Sequence, residues 1–293
     1  MSSKNLSRNA PRKRIYVLMV FFLLFAFSVL YPESIKPTII KKEIQWGNNS
    51  IIVDIEMPLE KTEKVFPVAK SKAELAIEQN MPFIIKKTLE SINIDSYTSL
   101  KDKSEELPEL LNFFSRQKIK KIFSRMSKDN MILEARYKIA IYPDIVSFFV
   151  NHTQTSEIPY TMNYTPTREF SGLVIFAKGK LPVHGEKKKE KLQPALFYRI
   201  YNDKMDLLFE KEMVNPEYLR KWGMGSYSSS INLKTQENRI GRSPLKIAAV
   251  GIFGKNYTDI IIAGEDANKL LYDNRNRKNF LEGRILIILD NWN

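Results

Sequence analysis

The chain opens with five basic residues and no acid, Lys4, Arg8, Arg12, Lys13 and Arg14, which run straight into an uninterrupted apolar segment, Ile15 to Tyr31. At about 1.5 Å of rise per residue that segment makes roughly 25 Å of helix, just short of the ~30 Å hydrocarbon core of a bilayer. The basic flank favours the cytoplasmic side, which sends everything after Pro32 across the membrane. Ala26 and Ser28 have the spacing of a cleavage site, but the bulky Val29, Leu30 and Tyr31 follow them before Pro32. This favours a retained anchor over a removed signal. The expected location is the bacterial inner membrane, with residues 1–14 as cytoplasmic flank, 15–31 as signal anchor, 32–43 as juxtamembrane linker and the bulk of the chain in the periplasm.

Five of the +13 formal charges lie in the flank, leaving +8 on the remainder. A basic ectodomain suits anionic envelope partners such as lipid headgroups or wall polymers, and its charge alone does not argue for nucleic acid. A lysine-coated surface without a partner is the plain alternative. The chain has no cysteine, so neither a disulfide framework nor a lipid-bearing cysteine is available.

The remaining residues suffice for two medium domains. In the first, residues 44–150, Lys42 to Met57 alternates about Gly47, Asn48 and Asn49 and reads as a hairpin or edge strand. From Val68 to Ile92 the period becomes helical, with Pro82 expected to kink or split the helix near Met81. Ser104, Glu105 and Glu106 read as the capped start of a second helix. Lys118 to Ser127 and Met131 to Tyr142 read as paired strands, and Asp144 to Val150 as a short helix. The polar, Pro-bearing stretch 151–167 is the expected linker.

In residues 168–293, Gly172 to Ala177 and Leu196 to Tyr201 read as strands, separated by a long polar loop, Lys178 to Gln193. Pro244 to Phe253 reads as a helix stopped by Gly254, Asp259 to Ala263 as a buried strand, Asp266 to Asp273 as a helix, and Arg284 to Leu289 as a final strand. The fold class expected is mixed α+β or α/β: a membrane helix followed by two small α/β domains with mixed or antiparallel sheets.

Chemical motifs are weak. "GIFGKNYT" has only two residues between Gly251 and Gly254, and Thr258 stands three places past Lys255, so a phosphate loop is not formed. "GMGSYSSS" lacks the glycine two places after Ser226 and reads as a flexible loop. His152 and His184 have no metal-like spacing. Glu157 with Glu169, or Asp203 with Asp206, pair as any set of acids does by chance. No catalytic, cofactor-binding or metal site is expected, and the reading is of a protein that is not an enzyme. The expected binding element is the basic loop, with Lys187, Lys188, Lys189 and Lys191, joined by Tyr198 and Arg199. Against that, Leu196, Tyr198 and Ile200 are better read as facing the core.

The run "AKSKAELAIEQNMPFIIKKTLESINIDSYTSLKD", followed by a short helix, a basic strand and "ILEARYKIAIYPDIVSFF", resembles the α/β domain of the flagellar basal-disk type of bacterial envelope lipoproteins. This covers about residues 50–150. Over the whole exported chain, including "PTREFSGLVIFAKGKLPVHGE" and "LQPALFYRIYND", the sequence is also similar to a spirochaete-type periplasmic protein family without an assigned activity. These resemblances imply an anchored binding or scaffold protein of an envelope assembly, with flagellar-motor or other envelope proteins as partners. Peptidoglycan or another wall polymer, bound or processed, is the alternative.

Overall fold

The computed structural model describes residues 36–59, 66–106, 108–115, 119–162, 164 and 168–291. The expected anchor, Ile15 to Tyr31, lies outside them. Among the described residues no helix is long and apolar enough to cross a membrane.

The first domain is a four-stranded antiparallel sheet covered on one face by helices. Its elements run β1 (Thr38–Gln45), β2 (Ser50–Pro58), α1 (Phe66–Leu89), α2 (Leu100–Glu106), α3 (Pro108–Ser115), β3 (Ile119–Met126), β4 (Ile132–Ala140) and α4 (Asp144–Phe148), with strand order β1-β2-β4-β3. Alternation dictates this layering. Ile51, Val53, Ile55 and Met57 on β2, and Leu133, Ala135, Tyr137 and Ile139 on β4, are buried beneath the helices. The opposite face carries charge. Asp54 accepts two bonds from Arg136 at 2.6 and 2.8 Å, and that guanidinium lies over Phe123.

Two expectations for this domain need correction. Helix α1 is not split: it continues through Pro82, which faces solvent and forgoes a single ladder bond. Ser104, Glu105 and Glu106 end a separate helix, α2, ahead of the expected one, which is α3; Ser99 and Asp102 cap α2 reciprocally, the Ser99 amide bonding Asp102 at 2.8 Å and the Asp102 amide bonding the Ser99 hydroxyl at 3.2 Å.

The second domain runs β5 (Leu173–Phe176), β6 (Lys180–Pro182), β7 (Lys189–Lys191), β8 (Ile200–Asn202), β9 (Leu207–Phe209), α5 (Pro216–Trp222), β10 (Ser226–Ser228), α6 (Glu237–Ile240), β11 (Leu245–Phe253), β12 (Asp259–Ile262), α7 (Gly264–Leu271), α8 (Asn274–Leu281) and β13 (Ile285–Ile288). Its mixed sheet has the order β10-β13-β5-β11-β12-β8-β9, in which β10, β13, β5 and β11 are parallel. The strands "ILII" and "DIII" are buried at every position, as central strands covered on both faces must be.

Here too the structure departs from the sequence reading. Pro244 to Phe253 is not a helix. Leu245, Ile247 and Ala249 point inward while Lys246, Ala248 and Val250 point out, so the segment is strand β11, and Gly254 closes it with φ of +90°. The polar loop is a hairpin, β6 pairing antiparallel with β7. Leu196, Phe197 and Tyr198 are all buried, so alternation fails there and only Ile200–Asn202 enters the sheet. The serine-rich "GMGSYSSS" contains edge strand β10.

Candidate functional site

The two domains are joined by backbone as well as by side chains. After α1 the chain passes along the second domain, where the Leu196 and Phe197 amides donate to the carbonyls of Asn93 and Ile94 at 3.0 and 2.8 Å. The Asn256 amide bonds the Ser96 carbonyl at 2.9 Å, and the Ser96 and Thr258 hydroxyls meet, buried, at 2.8 Å. Trp46, 3 % exposed, sets its ring 5.4 Å from that of Tyr227, and Phe149 lies edge-on to Phe197. One continuous apolar cluster therefore runs from Trp46 and Ile51 in the first domain to Leu289 in the second.

A cavity of about 210 Å³ opens at this seam, lined by Ile94, Asp95, Thr98, Lys103 and Phe149 from one domain and by Phe197, Arg199, Glu210, Lys211 and Asp259 from the other. Asp259 is 1 % exposed; its Oδ1 accepts the Arg199 amide at 2.8 Å. Burial pushes its carboxyl above the ordinary aspartate range, against the opposing pull of Ser96 and of Arg199. All three cations that line the cavity are paired: Lys103 bonds Glu106, Arg199 bonds Glu210 at 3.3 Å, and Lys211 contacts Glu212 at 3.2 Å. The seam thus has the chemistry of a docked joint with one strained acid. The sequence signal for Asp259 was slight, a single acid at the head of the apolar run "DIII".

The structure divides the expected binding residues into two groups. Lys187, Lys188, Lys189 and Lys191 are exposed on the β6–β7 arm. Lys188 is held by Glu186 at 2.7 Å and by Tyr257, whose hydroxyl is 2.7 Å away and whose ring lies beneath the ammonium. Lys191 leans toward Asp290 at 3.6 Å. Arg199 lies instead at the seam cavity, which none of the four lysines lines. Tyr198 borders the same cavity as Arg199 but is 1 % exposed and packs its ring against Phe209 and Tyr227. The arm is fixed to the sheet by the His184 amide on the Ile252 carbonyl at 2.9 Å and by the Gly179 amide on Asp290 at 2.9 Å.

The remaining chemical motifs are spread out. His152 bonds the Val214 carbonyl at 2.9 Å, whereas His184 lies edge-on to Phe253. Glu169 pairs with Arg275, and Asp206 bonds Asn202. Among the described residues no group of three His, Cys, Asp or Glu side chains is placed to hold a metal ion.

Residues 37–148 match the family model described as the N-terminal domain of Treponema pallidum Tp0624, and residues 172–291 match the one described as the second domain of the same protein. No curated protein matches the chain. The two matched segments contain the two sheets and follow in the same order along the chain. Both sheets of the chain therefore lie in segments similar to domains of one spirochaete protein, Tp0624 of Treponema pallidum.

Proposed function

We propose that the protein is a non-catalytic binding or scaffold component of the bacterial envelope, anchored in the inner membrane by Ile15 to Tyr31 and acting in the periplasm through the β6–β7 arm. The observation that carries this reading is the arm. It leaves Lys180, Lys187 and Lys189 exposed and, among the described residues, without an acidic partner, on a hairpin whose base is bonded to the sheet. A fixed cluster of like charge steers and orients an anionic surface on a partner, at a cost in screening by salt. The flagellar motor periphery is the specific form of the proposal and rests on the resemblance of residues 50–150.

The test is deletion of the gene, with protease accessibility of the chain in spheroplasts measured alongside. We expect loss of motility with other envelope functions intact, and digestion of the chain from the periplasmic side only. A motile deletion strain removes the flagellar form, and protection from periplasmic protease removes the topology.

A second reading, wall-polymer binding, is favoured by one observation. Tyr160, 52 % exposed, stacks near Tyr272, which Tyr164 also meets, and Arg277 lies over the Tyr160 ring. Such faces suit sugar rings. Saturable binding to purified peptidoglycan that Tyr160→Ala abolishes would favour it.

A further inference from the structure

A second basic feature lies apart from both the arm and the seam. Three chain segments converge on a surface cleft of about 430 Å³: Arg168 ahead of β5, Lys234 in the turn before α6, and Arg242 with Lys246 at the start of β11. Glu237 is the one acid that lines it. Some cations of this domain are paired, as Lys269 is with Asp266 and Arg284 with Glu282. Among the described residues none of these four cations has a carboxylate within ion-pair distance.

The cleft is preformed. Gly241 turns with φ of +67°, and a side chain there would strike Ser171. The Ser171 hydroxyl donates to the Ile240 carbonyl at 2.8 Å and accepts the Ser243 amide at 2.9 Å, while the Ser171 amide bonds the Ser243 carbonyl at 3.1 Å. The turn that presents Arg242 is thereby locked to the strand-β5 side of the cleft. Arg168 is steadied over the Phe170 ring.

We propose that this cleft binds a phosphoryl group carrying two or more negative charges. Three units of net positive charge face it, four cations against Glu237. A single carboxylate would leave most of that charge uncompensated, whereas a phosphoryl group concentrates charge at one centre and offers paired oxygens to the planar forks of Arg168 and Arg242. Lipid headgroups and soluble phosphates share this chemistry.

The test uses the full chain in neutral detergent, titrated calorimetrically with pyrophosphate at constant ionic strength. We expect saturable binding that Arg242→Glu with Lys246→Glu weakens by about 100-fold, the loss of two charge-assisted contacts. A Lys101→Glu, Lys120→Glu variant, at two exposed lysines of the first domain, should bind as the parent does, which separates the site from general surface charge. Lys234→Gln serves as the milder variant where double charge reversal impairs folding, and should weaken binding by about tenfold. Competition by short-chain phosphatidylglycerol assigns a headgroup source; retained pyrophosphate binding without competition assigns a soluble one, and both uphold the site. No saturable heat, equal effects of chloride at the same ionic strength, or indifference to the cleft variants would overturn it.

Discussion

Arg239 is 6 % exposed, and its guanidinium is spent on three backbone carbonyls: Nε on Gly283 at 3.0 Å, Nη1 on Trp222 at 2.8 Å and Nη2 on Gly223 at 2.9 Å. The group also lies over the Trp222 ring, 4.9 Å from its centroid, and burial pushes its pKa down to about 10. Carbonyl dipoles here replace water around a buried charge. Replacing it as Arg239→Met strips the donors from all three carbonyls, and we expect a loss of about 3–5 kcal/mol in urea denaturation; an unchanged midpoint would refute that role. Asp259 carries a prediction about pH. Its folded pKa is raised above the ordinary 3.8, so the folded state holds the proton longer than the unfolded chain does. Its contribution is therefore full below that value and is lost as pH rises through the folded pKa. Asp259→Asn should flatten this decline, and parallel stability curves for the two proteins across the acid range would contradict it. Neither residue announces itself in the sequence. The partners of Arg239 stand 17, 16 and 44 positions away, so nothing local marks it as buried.

Helix α1 shows local propensity giving way to packing. Pro82 sits in its interior, yet Ile77, Met81, Ile84, Ile85 and Leu89 bury a continuous face on the sheet and hold the helix together across it. Pro82→Ala restores a donor to the ladder at an exposed position, and we expect it to stabilise the protein by about 1–3 kcal/mol. A lowered thermal midpoint would show that the proline is instead needed there. The central strands of the first sheet, β2 and β4, were legible because they alternate cleanly, as Ile51, Val53 and Ile55 do against Ile52, Asp54 and Glu56. Strand β11 was not. In "LKIAAVGIF" the small, apolar Ala248 and Val250 occupy the outward positions and blur the alternation. What settles that segment is pairing with β5 on one side and β12 on the other, contacts that local sequence does not encode. The β6–β7 arm was hidden for a similar reason: its short strands read as polar loop, and only the docking of Val183 and His184 along β11 gives them a place.

At the scale of the molecule, the two sheets share a single apolar cluster and a backbone seam. Two domains joined in that way should unfold together. Calorimetry should record one transition, and Trp46→Ala should lower it as a whole, at a cost of about 3–5 kcal/mol; two separable transitions would mean that the seam contributes little. The proposed binding role places the contact with a partner on the β6–β7 arm of the second domain. The most direct measurement of that role is quantitative affinity capture from detergent-solubilised native cells, comparing the parent chain with a variant carrying Lys187→Glu, Lys188→Glu, Lys189→Glu and Lys191→Glu, both checked for an equal melting temperature. We expect a defined set of envelope proteins to be enriched with the parent and lost with the variant. Equal recovery from both would contradict a binding role for the arm.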